Sequence, residues 1–471
     1  MSGPLWLVPN GQAEPLPTLA GRLMEVCGAA VHPDEIAAVL ESEGLTDDQV
    51  RERYGRRSVF DLAAELYERA PRRYPEPEPA PDPWQTDPWR CVLRGVLFAL
   101  PGLGYVLGAR LLPGGEPDVL GLPAGGAVLA VSVLFGWAWN QALAHRAYLL
   151  IASGDGGRAA AARCLLIGAP LGALAVGIPA LVLPDDAAAG VFAAGQSCYL
   201  GAATVLLVLG GERLLLAALS PTVLGAGIVA VGGLADGVAV ILLAATVALA
   251  VVAAAGVAGR AVLEEWAARP SGAEKPVRDQ LSPPLPAAAS LPYGLFGLAA
   301  GLLTLTTALG GVLRYGAGTP LAGTATLALT LSMGGAEWLM YRVRGNSLAA
   351  LRRGRTVAGF HAGVGGVLLT ALAAQLALLL GLGLALQRSS GPALASLAAL
   401  GTVLWLALLL QAFGTAWPPA LICAAAAVTE LALLGNHAAT PATAQLAVAG
   451  CAAGALLALA AGVLGRATSH R

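Results

Sequence analysis

From about residue 91 to about residue 465 the chain is a succession of apolar segments, six before and six after one long polar interruption at 260–291. Each is at or near the roughly 20 residues a helix needs to cross a bilayer. In hydrocarbon every backbone N–H and C=O must be satisfied within the segment, so such a run can only be helical. The expected spans are 91–112, 119–143, 160–183, 187–209, 214–234, 237–258, 292–313, 320–341, 357–386, 391–411, 416–435 and 443–464. Only 12% of residues are charged and 56% are hydrophobic, whereas a soluble domain carries about 25% charged residues. The expected fold is an all-α membrane protein of about 12 transmembrane helices in two six-helix bundles.

The arginines orient these spans. With the N-terminus inside, the inner loops hold Arg146, Arg158, Arg163, Arg213, Arg260, Arg269, Lys275, Arg278, Arg342, Arg344, Arg352, Arg353 and Arg355. The outer side holds Arg110, Arg314 and Arg388. This is the bias of the positive-inside rule, with both termini cytoplasmic. Lys275 is the one lysine among 28 basic residues. With so much Ala, Gly and Arg, that usage points to a GC-rich bacterial genome, and hence to the inner membrane.

Ahead of the spans, 1–70 reads as a small cytoplasmic helical domain. His32-Pro33 opens one helix and Gly44 stops it; Thr46 with Gln49 forms a capping box before a helix closed by Gly55; Ser58 with Asp61 starts the next. Phe60, Leu62, Leu66 and Tyr67 make an apolar stripe, read as core. A proline-rich linker (71–90) follows, of extended, semi-rigid composition. The remaining divisions are a first bundle at 91–258, a cytoplasmic linker at 259–291, a second bundle at 292–465 and a tail at 466–471. A shift of about 198 positions aligns Arg146 with Arg344, Thr204 with Thr402 and Pro221 with Pro419, which suggests a parallel repeat about an axis along the membrane normal.

In texture the inner stretch 145–166 (HRAYLLIASGDGGRAAAARCLL) and its counterpart 332–355 (SMGGAEWLMYRVRGNSLAALRRGR) are similar to the loops after the second span of each half in polysaccharide flippases. Over 91–465 the chain resembles the multidrug/oligosaccharidyl-lipid/polysaccharide (MOP) exporter superfamily. The resemblance implies two six-helix bundles around a central cavity that move a lipid-linked saccharide or other amphiphile by alternating access. Major facilitators share the span count, but Gly154-Asp155-Gly156-Gly157-Arg158 does not match the spacing of their G-x-x-x-D-R-x-G-R loop. A third reading is a membrane scaffold that recruits a protein partner through residues 18–70.

An ionisable group inside a membrane marks a functional site by default. Arg94, Arg110 and Arg314 are the candidate substrate-binding residues, because guanidinium matches phosphate bidentately; snorkelling to lipid headgroups is the alternative. Glu337, with Arg342 or Arg344 as expected partner, and Glu430, with no basic neighbour in sequence, are the candidate coupling residues. Asn140, Gln141, Gln196, Tyr199, Gln375 and Gln411 are expected to bond across helices. His145 and His361 are expected at the interface. The basic inner loops fit anionic membrane lipids. A net charge of −1 leaves no footprint for nucleic acid. The six cysteines are scattered, so neither zinc nor a disulfide framework is indicated; no metal or cofactor is expected. No P-loop, nucleophile elbow or paired-carboxylate motif argues for an enzyme.

Overall fold

The computed structural model describes residues 16–70, 87–109, 122, 125–154, 156–182, 186–268, 286–316, 318–319, 323–353, 356–386 and 391–470. Two compact units result, 1–82 and 83–471. Arg110, Arg388, Arg355 and most of the two expected linkers lie outside the described residues.

In the first unit, helices α1 (Leu16–Arg22), α2 (Met24–Ala29), α3 (Pro33–Ser42), α4 (Asp47–Tyr54) and α5 (Val59–Arg69) enclose a core that includes Leu19, Leu23, Ile36, Leu40, Leu62 and Leu66. Local chemistry sets their ends. The Asp34 N–H donates to His32 ahead of Pro33. Thr46 and Gln49 exchange both capping-box bonds, at 3.1 and 3.4 Å. Gly55 stops α4 at φ +64°, where a side chain would be strained. Ser58 accepts from the Asp61 N–H. Phe60 departs from the expected stripe: it is 55% exposed. It follows Val59 at the start of α5, and a position adjacent to a buried residue is turned about 100° around the helix.

The second unit is built from α6 (Pro88–Ala99), α7 (Gly102–Gly108), α8 (Gly126–Ala152), α9 (Gly157–Val182), α10 (Ala187–Val208), α11 (Glu212–Val231), α12 (Asp236–Ala268), α13 (Leu291–Tyr315), α14 (Gly323–Arg353), α15 (Val357–Leu386), α16 (Gly391–Ala412), α17 (Trp417–Gly435) and α18 (Pro441–Leu464). Among the described residues, eleven helical segments are long and apolar enough to cross a membrane, with α6 and α7 counted as one across Pro101. Helix α14, where the eighth span was expected, is long enough but is not among them. Its Thr, Ser and Gly residues and Glu337 dilute its apolar character. Large apolar side chains such as Ile167, Val182 and Val252 are more than two-thirds exposed. Exposure on that scale makes sense against lipid rather than water, and the chain is a multi-pass membrane protein.

The basic stretches expected as loops are mostly helix. Helix α8 runs on to Ala152 and α9 begins at Gly157; α14 runs to Arg353 and α15 begins at Val357. Likewise α12 continues through Arg260 to Ala268. Helical hydrogen bonds are internal to the segment, so a helix need not stop where its sequence becomes polar. It only changes solvent there.

Each half has its own core. Leu97, Leu165, Leu206, Leu219 and Ala254 belong to one cluster, and Phe296, Leu329, Leu379, Trp405 and Leu456 to another. The halves repeat the same adjacencies. Helix α8 packs on α9 as α14 packs on α15; α10 packs on α12 as α16 packs on α18; α7 packs on α11 as α13 packs on α17. The repeat does not keep the 198-residue register. Gly126 and Gly323 start α8 and α14, 197 positions apart, whereas Ala187 and Gly391 start α10 and α16, 204 apart. Thr204 and Thr402 are therefore not equivalent, and neither are Pro221 and Pro419.

The halves meet along two seams, α8 with α13 and α6 with α14. The repeat that maps α8 onto α14 and α6 onto α13 exchanges these seams, as an isologous interface requires.

Candidate functional site

Both seams lie toward the end of the bundle where α6 begins. In the first, a Cβ on Gly95 would stand 3.0 Å from the Gly334 nitrogen, and one on Gly334 would collide with the Cys91 carbonyl oxygen. Two backbones touch there because neither residue has a side chain, the packing that membrane helices favour. One turn further along α14, Glu337 accepts a hydrogen bond from Arg94. The same guanidinium donates through Nη2 and Nε to Glu212 on α11, at 2.9 and 3.3 Å, and Arg90 adds a bond of 3.3 Å. Glu212 is almost wholly buried, while Arg90 is largely exposed. One planar cation thus holds a carboxylate of its own half and one of the other half, a geometry that lysine could not reproduce.

The second seam is packed through glycines and a stacked ring pair. On α13, Gly294, Gly297 and Gly301 lie against Ala138, Trp137 and Leu134 of α8. His145 stacks on Tyr293 with ring centroids 3.6 Å apart, and its Nδ1 lies 3.0 Å from the Ser290 hydroxyl. Beyond Gly95 the halves have less in common: α7 packs on α11 and α12 of its own half. Tyr105 on α7 keeps 42% of its surface open.

A second polar group lies within the second half. Glu430 on α17 is 1% exposed, with one carboxyl oxygen beside the Thr306 hydroxyl of α13 and the other without a hydrogen-bond partner. Between α18 and α13, Gln445 donates to the Thr307 hydroxyl, which donates to the Leu303 carbonyl at 2.9 Å.

The sequence-derived candidates fare unevenly. Glu337 takes Arg94 as its partner, 243 positions away, rather than a neighbour on its own helix. Arg342 instead lies over the Trp338 ring and Arg344 over Phe413. The carboxylates of the chain occupy Arg94, so the anion expected there is internal. Arg314 is engaged by the α17–α18 turn: it donates to the carbonyls of His437 and Ala439 and sits 3.0 Å from the His437 ring. Of the neutral polar residues, Gln196 bonds across helices, whereas the Asn140 amide donates to Gly136 of its own helix. His361 contacts the Gly465 carbonyl. Glu212 is the residue that sequence reasoning missed. A carboxylate at the first position of an apolar run reads as a helix-dipole cap, and nothing local tells that α6 will deliver two arginines to it.

One solved structure similar to this chain is described as a MOP superfamily transporter from Pyrococcus furiosus. It has 13% sequence identity and a TM-score of 0.44, over 81% of this chain and 98% of that one. No family model matches the sequence. No curated protein matches it either.

Proposed function

We propose that the protein is a transporter that moves an amphiphile with a hydrophilic head group, a lipid-linked saccharide or a relative of one, across a bacterial inner membrane. Its two halves rock about the seams, and α14 serves as the twelfth span. The observation that carries this reading is how the halves are joined. Each has a separate core, and the contacts between them include close glycine backbones, the apolar side chains of Leu134 and Trp137, one ion-pair cluster and one stacked ring pair. Neither core runs across the seams, so the halves can part at that end with each core intact.

By the arginine bias the seam end faces the cytoplasm, so the closed end faces inward and Tyr105 lies toward the outward side. Arg94 and Glu337 act as the inner closure rather than as a substrate site. Glu430 is the coupling group: a carboxyl buried beside a hydroxyl, with one oxygen unpartnered, responds to a proton or cation more than to a bulky cargo. The 16–70 unit is cytoplasmic and docks a protein partner, and the basic helix ends contact anionic lipids.

Spin labels at Trp89→Cys and Arg353→Cys, in a variant with the native cysteines replaced, report the inner end; labels at Val106→Cys and Leu327→Cys report the outer end. In lipid nanodiscs between pH 5 and 8, transport by rocking gives two distance populations at each end that change in opposite senses. A single unchanged distance at both ends throughout would sink the transporter reading and favour the scaffold.

A further inference from the structure

Behind α7 and α8 stands α10, and from it a chain of neutral hydrogen bonds runs forward between them. Ser197 donates to the Ala193 carbonyl at 3.0 Å and lies 3.0 Å from Ser132 of α8. The Gln196 amide nitrogen donates to Ser132 at 3.0 Å, and its oxygen accepts from the Tyr105 hydroxyl of α7. Phe192 flanks Tyr105 with ring centroids 5.5 Å apart.

Burial grades along this chain. Ser132 and Ser197 are buried, Gln196 is half-buried and Tyr105 is open. The serines therefore fix which way the amide points, and the amide fixes the tyrosine hydroxyl. Among the described residues no charged side chain bonds to any member. The network uses up the tyrosine proton and one amide N–H. It leaves the tyrosine oxygen as an acceptor and the second amide N–H as a donor, side by side against an aromatic ring. Helices α6 and α8 carry the two seams, so the gap between the first and second spans faces the other half.

We propose that Tyr105 and Gln196 form a head-group subsite for the hydroxyl-bearing, uncharged part of the cargo, a sugar ring or similar polyol, with Ser132 and Ser197 as its positioning residues. An adjacent donor and acceptor match a hydroxyl, which is both, and an aromatic ring covers the apolar face of a sugar. An anion would meet one donor and no cation here. This subsite rests on the transporter reading, and it names the part of the cargo that the first half holds.

The test is equilibrium binding of n-octyl β-D-glucopyranoside, with n-octyl sulfate as the anionic control of the same chain length, to the full chain in nanodiscs. Such binding does not require the inner end to open, so it can fail while the spin-label distances still report rocking, and the reverse. Saturable glucoside binding is expected. Tyr105→Phe, which keeps the ring, and Gln196→Leu should each weaken it about fivefold, the loss that goes with one neutral hydrogen bond, with sulfate binding unchanged. Wild-type glucoside affinity in Tyr105→Phe overturns the subsite. So does an equal loss of octyl sulfate, or the absence of saturable glucoside binding. An unchanged thermal midpoint of Tyr105→Phe keeps the result interpretable if Gln196→Leu folds poorly.

Discussion

Replacing Glu337 by Gln should open the inner end, whereas replacing Glu212 should not. The reason lies in which helices Arg94 joins. Its bonds to Glu212 connect α6 with α11 inside the first half, while its bond to Glu337 crosses to α14 in the second. A hydrogen bond to a charged group contributes about 1.5–3 kcal/mol. The lower end applies here, because closing the seam also desolvates the pair. Glu337 keeps 17% and Arg94 23% of side-chain exposure, so part of the Coulombic gain is offset by lost hydration. About 1.5 kcal/mol corresponds to roughly a tenfold change in the ratio of open to closed forms. The Trp89–Arg353 label pair therefore should show its longer-distance population enlarged about tenfold in Glu337→Gln. Glu212→Gln leaves the crossing bond in place, and the distance distribution should stay within about a factor of two of the parent. Equal opening by both variants, or no opening by Glu337→Gln, would show that the ion pair does not hold the halves together.

Three other outcomes follow from packing, burial and charge. Gly334→Ala should lower thermal stability by about 1–3 kcal/mol, because its Cβ meets the backbone of Cys91 rather than a side chain that can move aside; Gly335→Ala, where the obstacle is the flexible end of Leu378, should cost less in the same melting assay. Glu430→Leu should be as stable as the parent or more so by about 1–3 kcal/mol, since it removes an unsatisfied buried group, yet it should abolish any pH dependence of the spin-label distances; a folded variant that keeps that dependence would remove Glu430 as the coupling residue. In the N-terminal unit, the hydrogen bond from Arg56 holds the Glu65 carboxyl below the usual carboxylate range. A lowered folded pKa stabilises the fold above the unfolded value of about 4.3 and loses that contribution as pH falls through the folded value. Amide protection factors across 16–70, that is, exchange rates corrected for their intrinsic pH dependence, should therefore fall on acidification below about pH 4, and Glu65→Gln should flatten that dependence.

The inner closure also suggests a division of labour among the polar residues. Charged groups gather at the seam, where opening brings them to water. Neutral groups, Tyr105 and Gln196, form the proposed cargo subsite. A desolvated charge there would hold an oppositely charged head group too firmly to release it, while a donor–acceptor pair exchanges easily with the hydroxyls of a passing polyol.

What the sequence determined by itself is the set of helices and much of their punctuation. Runs of apolar residues near 20 long can only be helical in a bilayer, and the caps at His32, Thr46, Gly55 and Ser58 follow from one side chain reaching one backbone group. These are local facts, settled within a turn or two. The long polar break at 260–291 marks the expected division into two halves, and a separate apolar core lies on either side of it. Helix ends past the apolar core were not legible, because a helix carries its own hydrogen bonds into water and hydropathy marks only where the solvent changes. The site was the least legible part. Arg94 reads as a snorkelling cation and Glu337 as a partner for Arg342 or Arg344 until α6 crosses α14 at Gly95 and Gly334. That crossing sets which charges meet, 243 residues apart in one case and 118 in the other. Gln196 and Tyr105 are joined only because α10 stands behind α7 and α8. Pairing between distant side chains depends on helix rotation and crossing, which only the packed bundle decides.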